Sequence, residues 1–201
     1  TKHNYLPLGR ALNIFVQTCA ALYHAHQKGV IHRDLKPGNI MLVDYDGQSD
    51  VVQIVDFGMA KILSEMDGEN EELTKTGEVF GSPLYMSPEQ SMGQLVGESS
   101  DIYSCGCALF QALTGKPPFV GSNALTTLLM HQSAPIPRLN SSMNGRACPQ
   151  ALEELVTTML AKSPEDRYQN VDEVLDFLLH IEKMDELGLE DFQEVQDKDA
   201  V

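Results

Sequence analysis

Positive charge is scarce in this sequence, because 14 Lys and Arg residues are outnumbered by 29 Asp and Glu residues, for a net charge of −15. A surface of this sign repels the phosphates of nucleic acids and the headgroups of anionic membranes. We therefore expect neither of them as a partner. The charge does not exclude a small anionic ligand, because a metal ion and a few local cations decide whether such a ligand binds.

Long apolar runs are also missing: the sequence has no stretch of 18 apolar residues and no signal peptide, so we expect no membrane segment in this chain. The four cysteines show no Cys-x-x-Cys spacing. Cys105 and Cys107 lie two positions apart in a helical pattern and so point to different faces. Buried free thiols in a reducing compartment are the expected state. This predicts a cytoplasmic location, with the alternative of a membrane-anchored parent protein whose domain lies on the cytoplasmic side.

The length of 201 residues and an apolar fraction of 42% fit one domain with its own core. Apolar side chains recur at helical spacing over residues 8–28, and Gly29 follows as a stop signal. Ser99 and Ser100 can cap a nearly all-apolar helix that runs to Thr114. Further helices are predicted over residues 123–131, 149–161 and 170–182.

A small β element is predicted between the first two helices. Residues 40–43 and 51–55 are β-branched and apolar, and Asp46-Gly47 between them is typical of a hairpin turn. Residues 59–87 show no periodicity, and so long a loop in a compact domain is usually functional. The sum is a mainly helical domain with a short hairpin.

Two short motifs carry polar groups in a pattern suited to chemistry. The eight residues from His32 to Asn39 read His-Arg-Asp-Leu-Lys-Pro-Gly-Asn, and residues 56–58 read Asp-Phe-Gly. Together they supply two carboxylates, an ammonium group and a carboxamide. Each Asp alone is most simply a cap or turn residue, but the whole set in this order indicates phosphoryl transfer with magnesium.

The side-chain types predict a division of roles. Asp34 is the predicted base, which accepts a hydrogen bond from a substrate hydroxyl and takes its proton. Lys36 can place its ammonium group on the transferred phosphate, where negative charge sits in the transition state. Asn39 offers a neutral oxygen and Asp56 a charged oxygen as ligands of magnesium.

The two motifs resemble the catalytic and metal loops of eukaryotic-type serine/threonine protein kinases. The resemblance is to the larger, C-terminal lobe of the catalytic domain, and residues 81–90 are especially similar to bacterial members. It implies an α+β protein kinase-like fold, mainly helical, in which the short β hairpin carries both loops. It assigns residues 1–182 to a kinase lobe. The excess of acidic side chains that follows predicts an acidic tail over residues 183–201.

The same resemblance implies ligands, partners and further site residues. The cofactors are ATP with Mg2+, or with Mn2+ in its place, and the partner is a protein with a Ser or Thr acceptor. The nucleotide is expected to contact Lys36, Asn39 and Asp56, with Met41 as an apolar floor under adenine. Structural support is implied for His32, Phe57, Gly58, Ser82, Glu89, Asp101 and Arg167, with Glu89 and Arg167 as an ion pair.

Regulation by phosphorylation is expected from the loop that follows the second motif. Arg33 and Lys61 are placed as in kinases that are activated by loop phosphorylation, and they predict a phosphate pocket. Thr74 and Thr76 resemble the paired phosphorylation sites of bacterial receptor-like kinases. A phosphate adds about −1.5 to −2 of charge, which an Arg–Lys pocket would hold.

The glycine-rich loop, strand lysine and helical glutamate of the family would precede residue 1, which is Thr rather than Met. We therefore expect the chain to begin inside a longer protein. Alone it is expected to bind Mg–ATP weakly and to transfer phosphate negligibly. The alternative is a truncated or pseudokinase-like scaffold, but the intact set of four polar side chains favours a kinase.

Overall fold

The computed structural model describes residues 4–57, 82–143, 145–146 and 148–186. Two short 3-10 turns, Pro37–Asn39 and Pro164–Asp166, lie among the helices and strands of these ranges. The helices and strands are α1 (Leu8–His26), β1 (Ile40–Tyr45), β2 (Gln48–Ile54), α2 (Pro88–Ser91), α3 (Glu98–Thr114), α4 (Ala124–Ser133), α5 (Leu139–Ser142), α6 (Gln150–Met159) and α7 (Val171–Glu186).

Helix α1 forms where apolar spacing predicts it and packs mainly on α7 and on the hairpin. Its buried stripe includes Leu12, Phe15, Cys19 and Leu22, each at most 2% exposed. The helix ends at His26, two residues before the predicted end, and the chain turns at Gly29, whose φ of 71° is left-handed. Glycine adopts this conformation without a steric penalty, which explains the stop.

The predicted hairpin is present as a two-stranded antiparallel sheet. Its turn has positive φ at Asp46 (50°) and Gly47 (77°), the conformation for which Asp-Gly is preferred. Ile40 at the start of β1 is paired with Ile54 at the end of β2. This register brings the residue before β1, Asn39, close to the residues that follow β2.

Helix α3 is the central helix of the core. Buried side chains occur on all its sides, as its nearly all-apolar sequence predicts. It begins at Glu98, so the prediction that Ser99 or Ser100 is the N-cap is wrong. Gly97 is the N-cap, and the Ser100 hydroxyl accepts the Gly97 N–H at 3.4 Å from one turn inside the helix.

The remaining helices cover α3 from several directions. Asn123 caps α4 as its side chain accepts the Thr126 N–H at 2.9 Å. Gly106 of α3 lies so close to α6 that a Cβ there would be 2.9 Å from the Met159 Cβ, so a side chain at this position would separate the two helices. Helix α7 continues to Glu186, past the predicted end at residue 182.

The observed architecture is mostly helical with one two-stranded antiparallel sheet, as predicted at that level. None of the helices in the described ranges has the length and apolar character needed to cross a membrane. The site residues Gly58, Lys61, Thr74 and Thr76 lie outside the described residues, and so do residues 187–201 of the acidic tail.

Candidate active site

Asp34, Lys36 and Asn39 lie together on the loop between α1 and β1. The Lys36 Nζ is 2.5 Å from the Asp34 Oδ2, and the Asn39 amide donates from Nδ2 to the Asp34 backbone carbonyl at 2.9 Å. The 3-10 turn Pro37–Asn39 closes the loop and brings Asn39 back toward Asp34. Both charged side chains are about one third exposed, so they can contact a ligand from solvent.

The two predicted metal ligands are brought together by the hairpin. The Val55 N–H donates to the Asn39 carbonyl at 3.0 Å, and Asp56 is the next residue along the chain. Asp56 is exposed and has a left-handed φ of 61°, uncommon for a residue other than glycine. Such backbone strain occurs often at functional sites, where the surrounding structure holds it.

The donor set at these two residues fits magnesium. Since the Asn39 Nδ2 donates to the Asp34 carbonyl, the Asn39 Oδ1 is left as the acceptor that could bind a cation together with the Asp56 carboxylate. Within the described ranges no group of three or more His, Cys, Asp or Glu residues is arranged to bind a metal. Two protein oxygens with water and substrate phosphates is the usual magnesium arrangement, whereas zinc would require more protein ligands.

Asp101, near the start of α3, holds the backbone of the loop over residues 32–39 at its first two residues. Its carboxylate accepts the His32 N–H at 2.7 Å and the Arg33 N–H at 2.8 Å, and it is fully buried. The His26 Nε2 is a third partner at 2.8 Å. Arg33 has a φ of 71°, a strained conformation that these bonds fix in place.

His32 connects the catalytic loop to the second motif. Its ring packs against the Phe57 ring in a tilted arrangement, with centroids 4.7 Å apart and an interplanar angle of 57°. Its Nδ1 accepts the Asp34 N–H at 3.2 Å, so the proton belongs on Nε2, which lies 3.0 Å from the Val55 carbonyl. The partners therefore select one neutral tautomer, and the ring fixes Asp34 relative to the residue before Asp56.

Glu89 and Arg167 form a buried, bidentate ion pair, with distances of 2.7 Å (Nη1 to Oε1) and 2.8 Å (Nη2 to Oε2). The Ser100 hydroxyl also donates to Glu89 at 2.6 Å. Burial acts to raise the pKa of Glu89, but the hydrogen bonds from Arg167 and Ser100 outweigh it, and the pKa lies below its ordinary value of 4.5. The pair joins α2 to the segment between α6 and α7.

Two predicted site residues make fewer contacts than the others. Met41 is 47% exposed on β1. Ser82 accepts the Tyr85 N–H at its backbone carbonyl at 3.0 Å. As far as the structure describes the chain, its hydroxyl makes no hydrogen bond to Asp34 or Lys36.

Two residues of this region were not anticipated from the sequence. His26 is buried between Asp101 and the Glu98 carboxylate, whose Oε2 is 3.4 Å from the His26 Nδ1. Gln90 donates from Nε2 to the Arg33 carbonyl at 2.6 Å. The only sequence signal for Gln90 is a Ser-x-x-Gln capping box over residues 87–90, which indicates a local role and not a contact with a distant loop.

Comparison with known proteins identifies the family of this chain. The protein kinase domain matches residues 1–177 of the chain. The chain is 38% identical over 173 residues to the serine/threonine-protein kinase PknB of Mycolicibacterium smegmatis, covering 86% of this chain and 26% of that protein. It is 40% identical over 167 residues to the serine/threonine-protein kinase PrkC of Bacillus subtilis, covering 82% and 24%.

A third relative, the serine/threonine-protein kinase Pkn1 of Myxococcus xanthus, is 39% identical over 166 residues, covering 83% of this chain and 23% of that protein. The chain thus belongs to the protein kinase family, and the predicted similarity to bacterial serine/threonine kinases is confirmed. It spans about a quarter of the length of the curated relatives it matches.

Proposed function

We propose that the protein transfers the γ-phosphoryl group of Mg–ATP to serine or threonine hydroxyls of protein substrates. The observation that carries this proposal is the grouping of Asp34, Lys36 and Asn39 on one turn, with Asp56 placed beside them by the hairpin. These residues supply a base, a cation and two oxygen ligands, which is the set that phosphoryl transfer needs.

Asp34 accepts the hydrogen bond of the substrate hydroxyl and takes its proton as the hydroxyl oxygen attacks the γ-phosphorus. The bond from that phosphorus to the bridging oxygen of the β-phosphate breaks, and ADP leaves. Lys36, at 2.5 Å from Asp34, neutralises the carboxylate before substrate binds and then contacts the transferred phosphate. Magnesium, when bound, neutralises phosphate oxygens. Asn39 and Asp56 would hold it, and Met41 would lie under the adenine ring.

A phosphate pocket at Arg33 is part of the proposal. The Arg33 Nε is buried and has no hydrogen-bond partner among the residues that the structure describes. A buried guanidinium nitrogen without a partner is costly, and a phosphate oxygen would satisfy it. We therefore retain phosphorylated Thr74 or Thr76 as the anion and Lys61 as the second cation.

Phosphate transfer by these 201 residues alone is proposed to be slow. Met41, on the strand that the nucleotide would contact, is 47% exposed, so this side of the proposed nucleotide site lies open to water. Catalysis of this type depends on excluding water and on donors around the phosphates. The full-length product of the gene that encodes this chain is therefore the protein to assay. We propose that it acts in the cytoplasm and has no nucleic-acid partner.

The experiment is a steady-state assay of phosphate transfer to a protein substrate by wild type and Asp34→Asn. Loss of the base should lower kcat by roughly 100-fold or more. Asp44→Asn is the matched control, because it removes the same charge from Asp44, an exposed residue of β1. Equal rates for wild type and Asp34→Asn would refute the proposal.

The alternative function, a scaffold that binds other proteins, makes a different prediction and is supported by one observation. Leu125 and Leu129 lie one turn apart on α4 and are 66% and 51% exposed, a pair that suits a protein partner. A scaffold would retain its cellular role in the Asp34→Asn variant and lose it in a Leu125→Ser, Leu129→Ser variant. A kinase would show loss of that role with Asp34→Asn.

A further inference from the structure

The side chain of Gln90 makes two hydrogen bonds, one as acceptor and one as donor. Its Oε1 accepts the Ser87 N–H at 3.0 Å, which with the Ser87 hydroxyl completes the capping box at the start of α2. Its Nε2 donates to the backbone carbonyl of Arg33 at 2.6 Å. The first bond is local, whereas the second joins residues that are 57 positions apart.

The contact matters because Arg33 is held at both of its backbone polar groups. The Arg33 N–H is bound to Asp101 at 2.8 Å and the Arg33 carbonyl to Gln90. Since φ of Arg33 is 71°, the chain would leave this conformation without outside support. The carbonyl bound by Gln90 belongs to the peptide group that leads into Asp34.

We propose that Gln90 is a positioning residue for Asp34, which fixes the peptide plane between Arg33 and Asp34. This inference rests on the proposed function, because it gives Gln90 a role in the step that Asp34 performs. Through the Ser87 bond, Gln90 also couples α2 and the residues before it to the catalytic loop. Displacement of Ser87 would thus move the peptide that carries the proposed base.

The two bonds of Gln90 can be separated by one substitution. In Gln90→Glu the carboxylate still accepts the Ser87 N–H, and glutamate is a favoured residue at this position of a capping box. The same carboxylate has no N–H to donate to the Arg33 carbonyl. Gln90→Met removes both bonds at similar volume, and Gln94→Glu, at an exposed site four residues further on, controls for the added charge.

The expected result is a split between stability and activity. Gln90→Glu should unfold within about two degrees of the wild-type Tm but lower kcat about tenfold, with the KM for ATP unchanged. The Arg33 carbonyl 13C resonance should move in this variant and stay in place in Gln94→Glu. In Gln90→Met both the Tm and kcat should be lower than in the wild type.

Wild-type kcat and an unmoved Arg33 carbonyl resonance in Gln90→Glu would overturn the inference and leave Gln90 as a helix cap. Equal losses of kcat in Gln90→Glu and Gln94→Glu would overturn it as well, because added charge would then explain the loss. If the wild-type protein transfers no phosphate, the proposed function fails, and an unmoved resonance still refutes the contact separately.

Discussion

The carboxylate of Asp101 accepts the backbone N–H of Arg33 at 2.8 Å, although the two residues are 68 positions apart in the sequence. Asp101 belongs to the central buried helix, and Arg33 precedes the proposed base. The buried core therefore determines the path of the loop over residues 32–39. A loop held in this way can keep a strained residue, which a solvent-exposed turn of the same sequence would not.

Replacing Asp101 with Asn should destabilise the protein and lower its activity. The amide would place an NH2 group against one of the N–H donors that the carboxylate now accepts, leaving buried donors without partners. We expect a loss of roughly 2–4 kcal/mol in the free energy of unfolding. Denaturant titration measures this, with Asp172→Asn, at an exposed position of α7, as the control. Equal stability of both variants would contradict this role of Asp101.

Removing the Glu89 charge should lower the free energy of unfolding by more than removing the charge of one residue in an exposed ion pair. Glu89→Gln leaves Arg167 buried without its anion, for which about 3–5 kcal/mol is typical. The Arg10–Asp50 pair is exposed, so Asp50→Asn should cost less than about 1 kcal/mol. Denaturant titration of both variants at pH 7 checks the difference, and similar losses would refute it.

The pH dependence of the Glu89 contribution follows from its lowered pKa. A carboxyl with a folded-state pKa below 4.5 stabilises the fold above that pH, and the contribution is lost as the pH falls through the folded value. The stability difference between wild type and Glu89→Gln should therefore be constant from pH 8 to 6 and shrink below about pH 4.5. A difference that grows on acidification would contradict this.

Comparison of the sequence with the structure shows which features local chemistry determines. The hairpin and the C-terminal ends of α1 (to within two residues) and α3 follow from turn residues and periodicity, which act over a few positions. The start of α3 was misplaced because Ser100 acts from inside the helix. The contact of Gln90 with Arg33 has no local signal, since only the assembled fold brings the two together.

His131 should make stability fall on mild acidification. Burial, and then the nearby Lys162 charge, lower the pKa of His131 from 6.5 to about 4, so the neutral ring is the folded form. The contribution of the neutral His131 ring to stability is fully present above pH 6.5. As the pH falls toward 4, the free energy of unfolding should decrease by up to about 3 kcal/mol. In His131→Gln the amide can still bond the Tyr103 hydroxyl, and stability should depend less on pH in this window. An unchanged slope would refute the assignment.

Replacing both Thr74 and Thr76 with Ala should lower activity if a phosphate occupies the pocket at Arg33. We expect a decrease of roughly tenfold in kcat for the full-length protein, because the anion that pairs with Arg33 cannot form. Thr157→Ala, at an exposed position of α6, is the control. Mass spectrometry should find phosphate on the wild-type segment, and unchanged activity of the double variant would exclude this regulation.

The central claim is tested most directly by phosphoamino-acid analysis of a protein substrate after incubation with γ-labelled Mg–ATP and the full-length protein. We predict label on serine or threonine and none on tyrosine, with the label reduced by roughly 100-fold or more by Asp34→Asn and retained with Asp44→Asn. No label from a folded wild-type protein, or equal label from wild type and Asp34→Asn, would contradict the account.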